Sequence, residues 1–265
     1  MCRWAAYLGP ELFLETIVSA PCHSLVAQSH CALEAKTATN GDGFGIAWYG
    51  ARPEPGLYRD ILPAWSDPNL QSLCRQISSR LFLAHVRAAT GGGTSRTNCH
   101  PFASGRWSFM HNGQIGAWGK LRRRLESLLP DALYDQRQGT TDSEFLFLLM
   151  LAEGLDQDPF GAAARAVGRV TEVAESAGLS PDLKLTACFS DGETLWALRH
   201  ASDGLAPTLY TAQTPSGGRC LVSEPFDRSQ SGWQAVPPES FVAIRPDGMT
   251  LRPFVPASFR LARIA

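Results

Sequence analysis

The chain has no excess of basic charge, no long hydrophobic run and no recognisable export signal. Its 24 Lys and Arg residues and 25 Asp and Glu residues give a net charge of −1, so no positive field exists to attract nucleic acid or an anionic membrane. No apolar stretch approaches the ~18 residues that a membrane-spanning helix needs. The N-terminus lacks a charged segment followed by an apolar one, so no secretory signal is predicted. We therefore expect a cytoplasmic protein with neither a nucleic-acid nor a membrane partner.

Metal-ligand spacing is also missing, although the chain contains seven cysteines and six histidines. Cysteine and histidine are neighbours at 22–23, 30–31 and 99–100, but no Cys-x2-Cys or His-x3-His pattern accompanies them. Zinc sites typically show such patterns, so we predict no metal and no cofactor. A metal-binding or interaction protein stays open as an alternative class, which metal analysis would separate. The odd number of cysteines, without an export signal, indicates reduced thiols.

The order of strand and helix patterns indicates antiparallel sheets covered by helices. Apolar strand patterns occupy 2–8, 44–49, 81–86 and 107–110, with a further possible strand over 25–30. From Leu183 onward strand follows strand, with hairpin turns predicted at Asp191-Gly192-Glu193 and at Asp247-Gly248.

Three helix starts are visible in the sequence. Asp67-Pro68 and Asp158-Pro159 each combine an N-cap with proline at the first helical position, and Gly178 is expected to end the helix that starts at 158. At 141–144, Thr141 is expected to cap a helix while the side chain of Glu144 reaches back to it. Strands, then helices, then strands predict an α+β fold of antiparallel sheets in a single domain, residues 1–265.

Cys2 is the first candidate for catalysis. Its side chain is small enough for a methionine aminopeptidase to remove Met1, which would place a thiol and a free α-amine on one residue. An α-amine titrates near ~7.7–8.0, so it can accept the thiol proton and serve as the base for a nucleophile. A cysteine that simply packs in a strand is the open alternative.

Asn112-Gly113, at the end of a strand, is the second candidate. An asparagine amide and a glycine N–H can both donate to one oxygen, and glycine allows a close backbone approach. The pair would then form an oxyanion hole for a tetrahedral intermediate. A plain Asn-Gly turn explains the same two residues.

Two charged residues could bind the ends of an amino acid. Arg87 follows a strand and, helped by Thr90, offers a planar fork for a carboxylate. Asp142 could accept a substrate ammonium, although a carboxylate in the first turn of a helix is also favoured by the helix dipole. For Arg87, too, an alternative stays open, namely a surface arginine in a flexible loop. The glycine-rich loop at 40–43 lacks the ending of a phosphate loop and is better explained as a tight turn packed near the N-terminus.

Each of these signals is weak alone, but their order along the chain is specific. Together they resemble the class II glutamine amidotransferases, which are N-terminal-nucleophile hydrolases with a four-layer αββα sandwich. Within that family the chain is similar to stand-alone, single-domain members, including the amidohydrolase of ergothioneine biosynthesis. The motifs that carry the resemblance are Met1-Cys2-Arg3, Gly41-Asp42-Gly43-Phe44-Gly45-Ile46, Ala64-Trp65-Ser66-Asp67, His85-Val86-Arg87-Ala88-Ala89-Thr90, His100-Pro101-Phe102, His111-Asn112-Gly113, Thr141-Asp142-Ser143-Glu144 and Val222-Ser223-Glu224-Pro225-Phe226-Asp227.

The resemblance implies a role for each candidate. Cys2 would be the nucleophile and its freed amine the base, with Asn112 and the Gly113 N–H as the oxyanion hole. Arg87 and Thr90 would bind the α-carboxylate of a glutamyl substrate, and Asp142 its α-ammonium. No metal or cofactor takes part, and His85 and His111 are expected to be packed structural residues.

The chain departs from the family pattern at two positions. Asn40 stands where many members have arginine, and Ala88 where many have a bulky aromatic residue, so a roomier pocket could accept a substrate larger than glutamine. Two substrates therefore stay open: free glutamine, whose ammonia a separate synthase or other acceptor protein could use, and a γ-glutamyl amide within a larger metabolite. A chain that retains Met1 has a blocked amine and would be a non-catalytic descendant of the fold.

Overall fold

Two antiparallel β-sheets lie face to face at the centre of the molecule. The computed structural model describes residues 2–34, 37–89, 93–227 and 231–259. In this part of the chain, the first sheet consists of seven strands: β1 (Arg3–Phe13), β2 (Phe44–Trp48), β3 (Gly56–Asp60), β4 (Ser78–Val86), β9 (Tyr210–Gln213), β10 (Arg219–Val222) and β11 (Gln234–Ala235). They lie side by side in the order β11-β9-β10-β1-β4-β2-β3.

The second sheet contains six strands within the described ranges. They are β5 (Phe102–Ser104), β6 (Trp107–Ile115), β7 (Leu183–Ser190), β8 (Leu195–Ala201), β12 (Ser240–Arg245) and β13 (Gly248–Pro253), in the order β13-β12-β8-β7-β6-β5. All pairings in both sheets are antiparallel.

Helices cover the outer face of each sheet. The first sheet packs against α1 (Glu15–Val18), α2 (Leu25–His30) and α3 (Pro68–Gln76). The second packs against α4 (Trp118–Glu126), α5 (Asp131–Tyr134), α6 (Asp142–Ala152) and α7 (Pro159–Ser176). Short 3-10 turns lie at Ala64–Ser66 and Arg96–Asn98. The predicted α+β fold with two antiparallel sheets is confirmed, and the layers follow one another as helix, sheet, sheet, helix.

Alternation along β1 shows how the layers form. Trp4 and Ala6 point into the gap between the sheets, where they pack with Met110 of the second sheet. Ala5 and Tyr7 point to the opposite face and pack beneath α1–α3. Because side chains alternate between faces along a strand, the mostly apolar run at the start of the chain supplies two cores at once.

The helix layer on the second sheet is built around stacked aromatic rings. Phe109 of β6 is fully buried and stacks on Phe147 of α6, with ring centroids 5.4 Å apart. Along β6, Phe109 therefore faces the helices while Met110 faces the first sheet. By the same alternation, Asn112 faces the gap between the sheets.

The helix caps agree with the sequence in part. Asp67, Thr141 and Asp158 accept hydrogen bonds from the first turns of α3, α6 and α7, as predicted. Glu144, however, does not reach back to Thr141; its carboxylate accepts from the backbone N–H groups of Gln138 and Gly139, at 2.9 and 2.7 Å. The side chain thus fastens the segment before α6 rather than closing a capping box.

The possible strand at 25–30 was a wrong prediction. These residues form α2, because the Ser24 side chain accepts from the Ala27 N–H and starts a helix there. The sequence patterns also missed several short elements, namely α1, α4, α5, β3, β5 and β11. Among the residues that the structure describes, no helix has both the length and the apolar character needed to span a membrane.

One hydrogen bond joins the two sheets near the start of β1, and it supplies a stability prediction. The buried Trp4 indole N–H donates to the Thr186 carbonyl of β7 at 3.2 Å. We expect Trp4→Phe to lower the free energy of unfolding by roughly 1–3 kcal/mol, because a buried hydrogen bond and part of the packing are lost. Trp118→Phe is the matched control, since it removes a solvent-exposed indole bond to the Thr140 carbonyl. Chemical denaturation of both variants measures the difference; equal losses would contradict the assigned importance of the inter-sheet bond.

Candidate active site

Cys2 lies immediately before β1, at one end of the central strands of the first sheet. The thiol sulfur is 3.4 Å from the Ala88 backbone N and 3.5 Å from the Ala88 carbonyl oxygen, and the residue is half-buried. Arg3 pairs with Val86 in the β1–β4 register, so Cys2 lies beside Arg87. Cys2 precedes Trp4 by two positions, which directs both side chains toward the gap between the sheets.

The surroundings of Cys2 have opposing effects on its thiol. Burial raises the pKa of the Cys2 thiol above the ordinary value of 9.0, while the Ala88 N–H hydrogen bond and the positive charges of Arg87 and Arg3 lower it to a smaller extent. The resting thiol is therefore mostly protonated at neutral pH, and it needs a base to become a nucleophile.

Asn112 and Gly113 lie on β6, on the opposite side of the gap. Asn112 is 1% exposed, and neither its Nδ2 nor its Oδ1 has a hydrogen-bond partner in the described part of the chain. A buried amide without partners is costly, so the Asn112 amide is available to a bound molecule. Gly113 has φ +149°, and a Cβ there would lie 1.6 Å from the Lys184 carbonyl oxygen. Only glycine fits at this position, so the expected plain turn is instead a strand segment in tight contact with β7.

Two contacts connect the β6 side of the gap to the β1 side. Thr186, whose carbonyl accepts from Trp4, pairs with Asn112 in the β6–β7 register. Met110, two residues before Asn112 on β6, packs in the gap with Trp4, two residues after Cys2. Cys2 and Asn112 therefore belong to the same end of the inter-sheet gap.

Arg87 is a buried cation placed directly after β4. It is 3% exposed, and none of the ion pairs among the described residues includes it. Its Nη1 donates to the Asp42 carbonyl oxygen at 3.3 Å, and its backbone N–H and C=O bond to Gly43 and Asp42. The Asp42 carboxylate in turn accepts from the Ala89 N–H at 2.8 Å. The predicted tight turn at 40–43 thus orients the guanidinium, whose buried charge is left for an anionic ligand.

Thr90, predicted to assist Arg87, lies outside the described residues. Asp142 begins α6 and is half-buried. Its Oδ2 accepts from the Ile115 N–H at 2.7 Å, and its Oδ1 accepts from the Ser143 hydroxyl at 3.4 Å. Cys2 and Arg87 therefore belong to the first sheet, whereas Asn112 and Gly113 lie on β6 of the second sheet and Asp142 is bonded to the end of that strand. Asp142 has protein partners already, so the capping alternative accounts for part of its role.

The histidines of this region are buried and uncharged. Burial lowers the pKa of His85 to about 3, and it lowers those of His100 and His111 as well. The His85 and His100 rings lie 4.2 Å apart, and neither has a hydrogen-bond partner for its ring nitrogens within the described chain. His111 bonds to the Ser143 hydroxyl and the Lys184 carbonyl. Packing is thus the main role of all three rings.

Sequence reasoning assigned no role to Arg3 or Glu224, although both stand in quoted motifs. The Arg3 Nε donates to the Cys2 carbonyl at 2.7 Å, and its Nη1 lies 3.5 Å from Glu224 Oε2. The signal available was a charged residue directly after the cysteine, inside an otherwise apolar strand pattern. A buried arginine in such a place requires an acidic partner.

The described residues contain no group of three or more His, Cys, Asp or Glu side chains able to bind a metal ion. All seven cysteines, each in a described part of the chain, are free.

A cavity of about 890 Å³ lies away from Cys2, at the opposite ends of the strands, with Leu8, Tyr49, Arg80, Arg219 and Arg245 among its lining. Its lining includes neither Cys2 nor Arg87 nor Asn112, so this cavity is separate from the candidate active site.

Comparison with known proteins shows which family this chain resembles. The family model for class II glutamine amidotransferases matches residues 15–223, a segment that begins after Cys2. A probable glutamine amidotransferase from Saccharomyces cerevisiae, DUG3, is 31% identical over 303 residues, covering 96% of this chain and 85% of the yeast protein. The gamma-glutamyl-hercynylcysteine sulfoxide hydrolase of Mycolicibacterium smegmatis is 29% identical over 255 residues, covering 96% of this chain and 100% of that enzyme.

Solved structures show the same relationship. A glutamine aminotransferase class-II domain protein from Silicibacter pomeroyi superposes with a TM-score of 0.78 at 43% identity, covering 96% of this chain and 100% of that one. Glutamine phosphoribosylpyrophosphate amidotransferase from B. subtilis shares the fold, with a TM-score of 0.65 at 15% identity over 98% of this chain and 50% of its own. From the family match and these relatives, the chain belongs to the class II glutamine amidotransferases.

Proposed function

We propose that this enzyme hydrolyses the side-chain amide of a γ-glutamyl compound through a thioester on Cys2. The observation that carries the proposal is the position of the Cys2 thiol against the backbone of Ala88, the residue after Arg87, whose buried guanidinium has no ion-pair partner among the described residues. A nucleophile beside such a cation suits a substrate that bears a carboxylate a short distance from its reacting carbonyl. We further propose that residues 1–265 act as one domain.

Substrate binding follows from the charges. The Arg87 guanidinium, already oriented by the Asp42 carbonyl, would bind the α-carboxylate bidentately. Thr90 would add a hydroxyl donor, and Asp142 would accept from the α-ammonium through the lone pairs that the Ile115 N–H leaves free. The two charges would then fix the glutamyl unit from opposite sides of the gap, with its side chain directed toward Cys2.

The chemistry requires removal of Met1. The α-amine of Cys2 would take the thiol proton as the sulfur attacks the amide carbon, and the carbonyl π electrons would move onto oxygen. The unpartnered Asn112 amide and the Gly113 N–H would stabilise this oxyanion. Collapse of the intermediate expels the amine, which takes the proton from the ammonium form of the N-terminus, and leaves the thioester. Water then attacks the thioester carbonyl and releases the γ-carboxylate and the free thiol.

Free glutamine is the second candidate substrate, and the similarity to DUG3 favours it. The similarity to a hydrolase of gamma-glutamyl-hercynylcysteine sulfoxide, together with the small Ala88 beside the thiol, favours a larger amide. With glutamine, the ammonia would either be released or pass to a separate synthase. Comparing kcat/KM for glutamine with that for γ-glutamyl amides of increasing size separates the two candidates.

Covalent labelling tests the nucleophile. Incubation with the diazoketone analogue of glutamine should add one equivalent, because the thiolate displaces N2 and forms a stable thioether. Intact mass and peptide mapping should show the adduct on residue 2 of a chain that has lost Met1. Cys2→Ala should show no adduct and no amidase activity. An adduct on another residue, or activity in a chain that retains Met1, would overturn the proposed mechanism.

The oxyanion hole gives a prediction about rate. We expect Asn112→Ala to lower kcat by about 10²–10³, because one donor to the oxyanion is lost, and to leave KM nearly unchanged. Steady-state kinetics with a γ-glutamyl amide measure the effect. Asn69→Ala, an exposed asparagine in α3, is the control and should retain full activity. A variant of Asn112 with normal kcat would remove this residue from the mechanism.

The raised pKa of the Cys2 thiol gives a pH dependence. Because only the thiolate reacts with iodoacetamide, and burial raises the pKa above 9.0, the alkylation rate of Cys2 should rise about tenfold per pH unit up to at least pH 9. Peptide mapping over a pH series measures it, with the exposed Cys31 followed in the same samples as an internal reference. A plateau below pH 8 would show a thiolate at rest.

A further inference from the structure

Arg3 and Glu224 form a buried ion pair directly behind the nucleophile. The Arg3 side chain is 0% exposed and that of Glu224 is 2% exposed, with 3.5 Å between Nη1 and Oε2. The catalytic steps proposed above use neither residue. Burying two charges costs several kcal/mol per ion before their attraction is counted, so the pair calls for an explanation beyond packing.

The arginine connects the pair to the nucleophile. Its Nε donates to the Cys2 carbonyl at 2.7 Å, and its Nη1 donates to the Ser223 carbonyl at 3.2 Å. Ser223 is itself joined to the neighbouring residue of β1, since its hydroxyl accepts from the Trp4 N–H at 2.9 Å. The backbone of Cys2 is therefore fixed by a side chain rather than by a strand partner.

The glutamate connects the same pair to a distant loop. Its two carboxylate oxygens accept from the backbone N–H groups of Leu33 and Glu34, at 2.8 and 3.0 Å. His23 contributes a further contact, with 2.5 Å between its Nε2 and Oε1 of Glu224. One carboxylate thus joins β10, the segment before α2 and the segment after it.

That loop leads to the anion site. Ala32, next to Leu33, donates its N–H to the Ala38 carbonyl, and Asn40 donates its N–H to the Ser29 carbonyl. Asp42 follows two residues later; it bonds through its backbone to Arg87 and through its carboxylate to the Ala89 N–H. Within the described residues, a series of hydrogen bonds and short chain segments therefore connects Cys2 through Glu224 to Arg87.

We propose that Glu224 is a positioning residue that sets the Cys2 thiol relative to the Arg87 anion site, through Arg3 on one side and the 33–34 backbone on the other. The inference rests on the proposed function, because it assigns the nucleophile to Cys2 and carboxylate binding to Arg87. Glu224 touches no reacting atom itself. It acts by positioning the Cys2 thiol and the Arg87 guanidinium relative to each other.

The test compares two reagents that need different amounts of positioning. The diazoketone analogue of glutamine must bind the anion site and meet the thiol at once, whereas iodoacetamide needs only an accessible thiolate. We expect Glu224→Gln, which keeps shape but removes the charge, to lower the ratio of the two second-order labelling rates at Cys2 by about tenfold or more, since small displacements at a reacting centre cost up to 10²-fold. Arg3→Lys, which keeps charge but removes the planar fork, should lower the same ratio.

Glu239→Gln is the matched control. Glu239 also pairs with a buried histidine, His200, and accepts from a backbone N–H, that of Ala201, but it lies on the second sheet beside β12. It should leave the ratio of rates unchanged while lowering stability. Both rates are measured under conditions where circular dichroism shows each variant to be folded, because unfolding would expose the thiol to iodoacetamide and abolish binding of the diazoketone.

The outcomes separate the two proposals. If the diazoketone fails to label Cys2 in the unaltered protein, the proposed function is wrong and this inference falls with it. If labelling is normal but folded Glu224→Gln and Arg3→Lys both keep the original ratio, the positioning role alone is wrong. Should Glu224→Gln not fold, Arg3→Lys decides the question, with an unchanged ratio counting against the proposal.

Discussion

The burial of one face of each sheet against the other is the constraint on which the site depends. Trp4 and Ala6 from the first sheet and Met110 from the second fill the gap between them. Apolar burial contributes roughly 25 cal/mol per Å², and the stacking is favourable only if the opposed strands keep their register. The apolar packing between the sheets therefore sets the positions of the strands, and the strands in turn fix the polar side chains at the end of the gap.

Several of the buried polar groups that have no partner in the described part of the chain lie at that end of the gap. The Asn112 amide has no partner within the described chain, and Arg87 has no ion-pair partner there. Glu224, by contrast, is surrounded by donors from Arg3, His23 and two backbone N–H groups. Unpaired buried groups lower stability, and their concentration beside a cysteine thiol is typical of a site prepared for a ligand.

The strongest strands could be predicted from the sequence because their signals are local, whereas the four-layer order was implied by the family resemblance. Continuous apolar runs marked β1 and β4, and the Asp67 and Asp158 caps marked α3 and α7. The segment at 25–30 was mistaken for a strand because a six-residue stretch carries too little periodicity to separate the two structures. There the Ser24 cap decided the outcome.

The candidate site residues could be named from the sequence, but the contacts that connect them could not. The order of Cys2, Arg87, Asn112 and Asp142 along the chain identified the family, which the comparisons confirm. No spacing rule could show that Asp42 orients Arg87, or that Glu224 lies behind Arg3, because those contacts depend on tertiary packing. The same holds for Gly113, whose closeness to the Lys184 carbonyl is set by the pairing of β6 with β7.

The long sequence separation between Arg3 and its partners has a consequence for biosynthesis. Arg3 leaves the ribosome almost at once, whereas Ser223, 220 positions later, and Glu224 after it are among the last residues of the fold to be made. A nascent chain that has not yet completed β10 can already pair β1 with β4, but it lacks the contacts of Arg3 with Ser223 and Glu224. The part of the Cys2 geometry that depends on Arg3 is therefore completed late in translation, and a chain truncated before β10 would lack it.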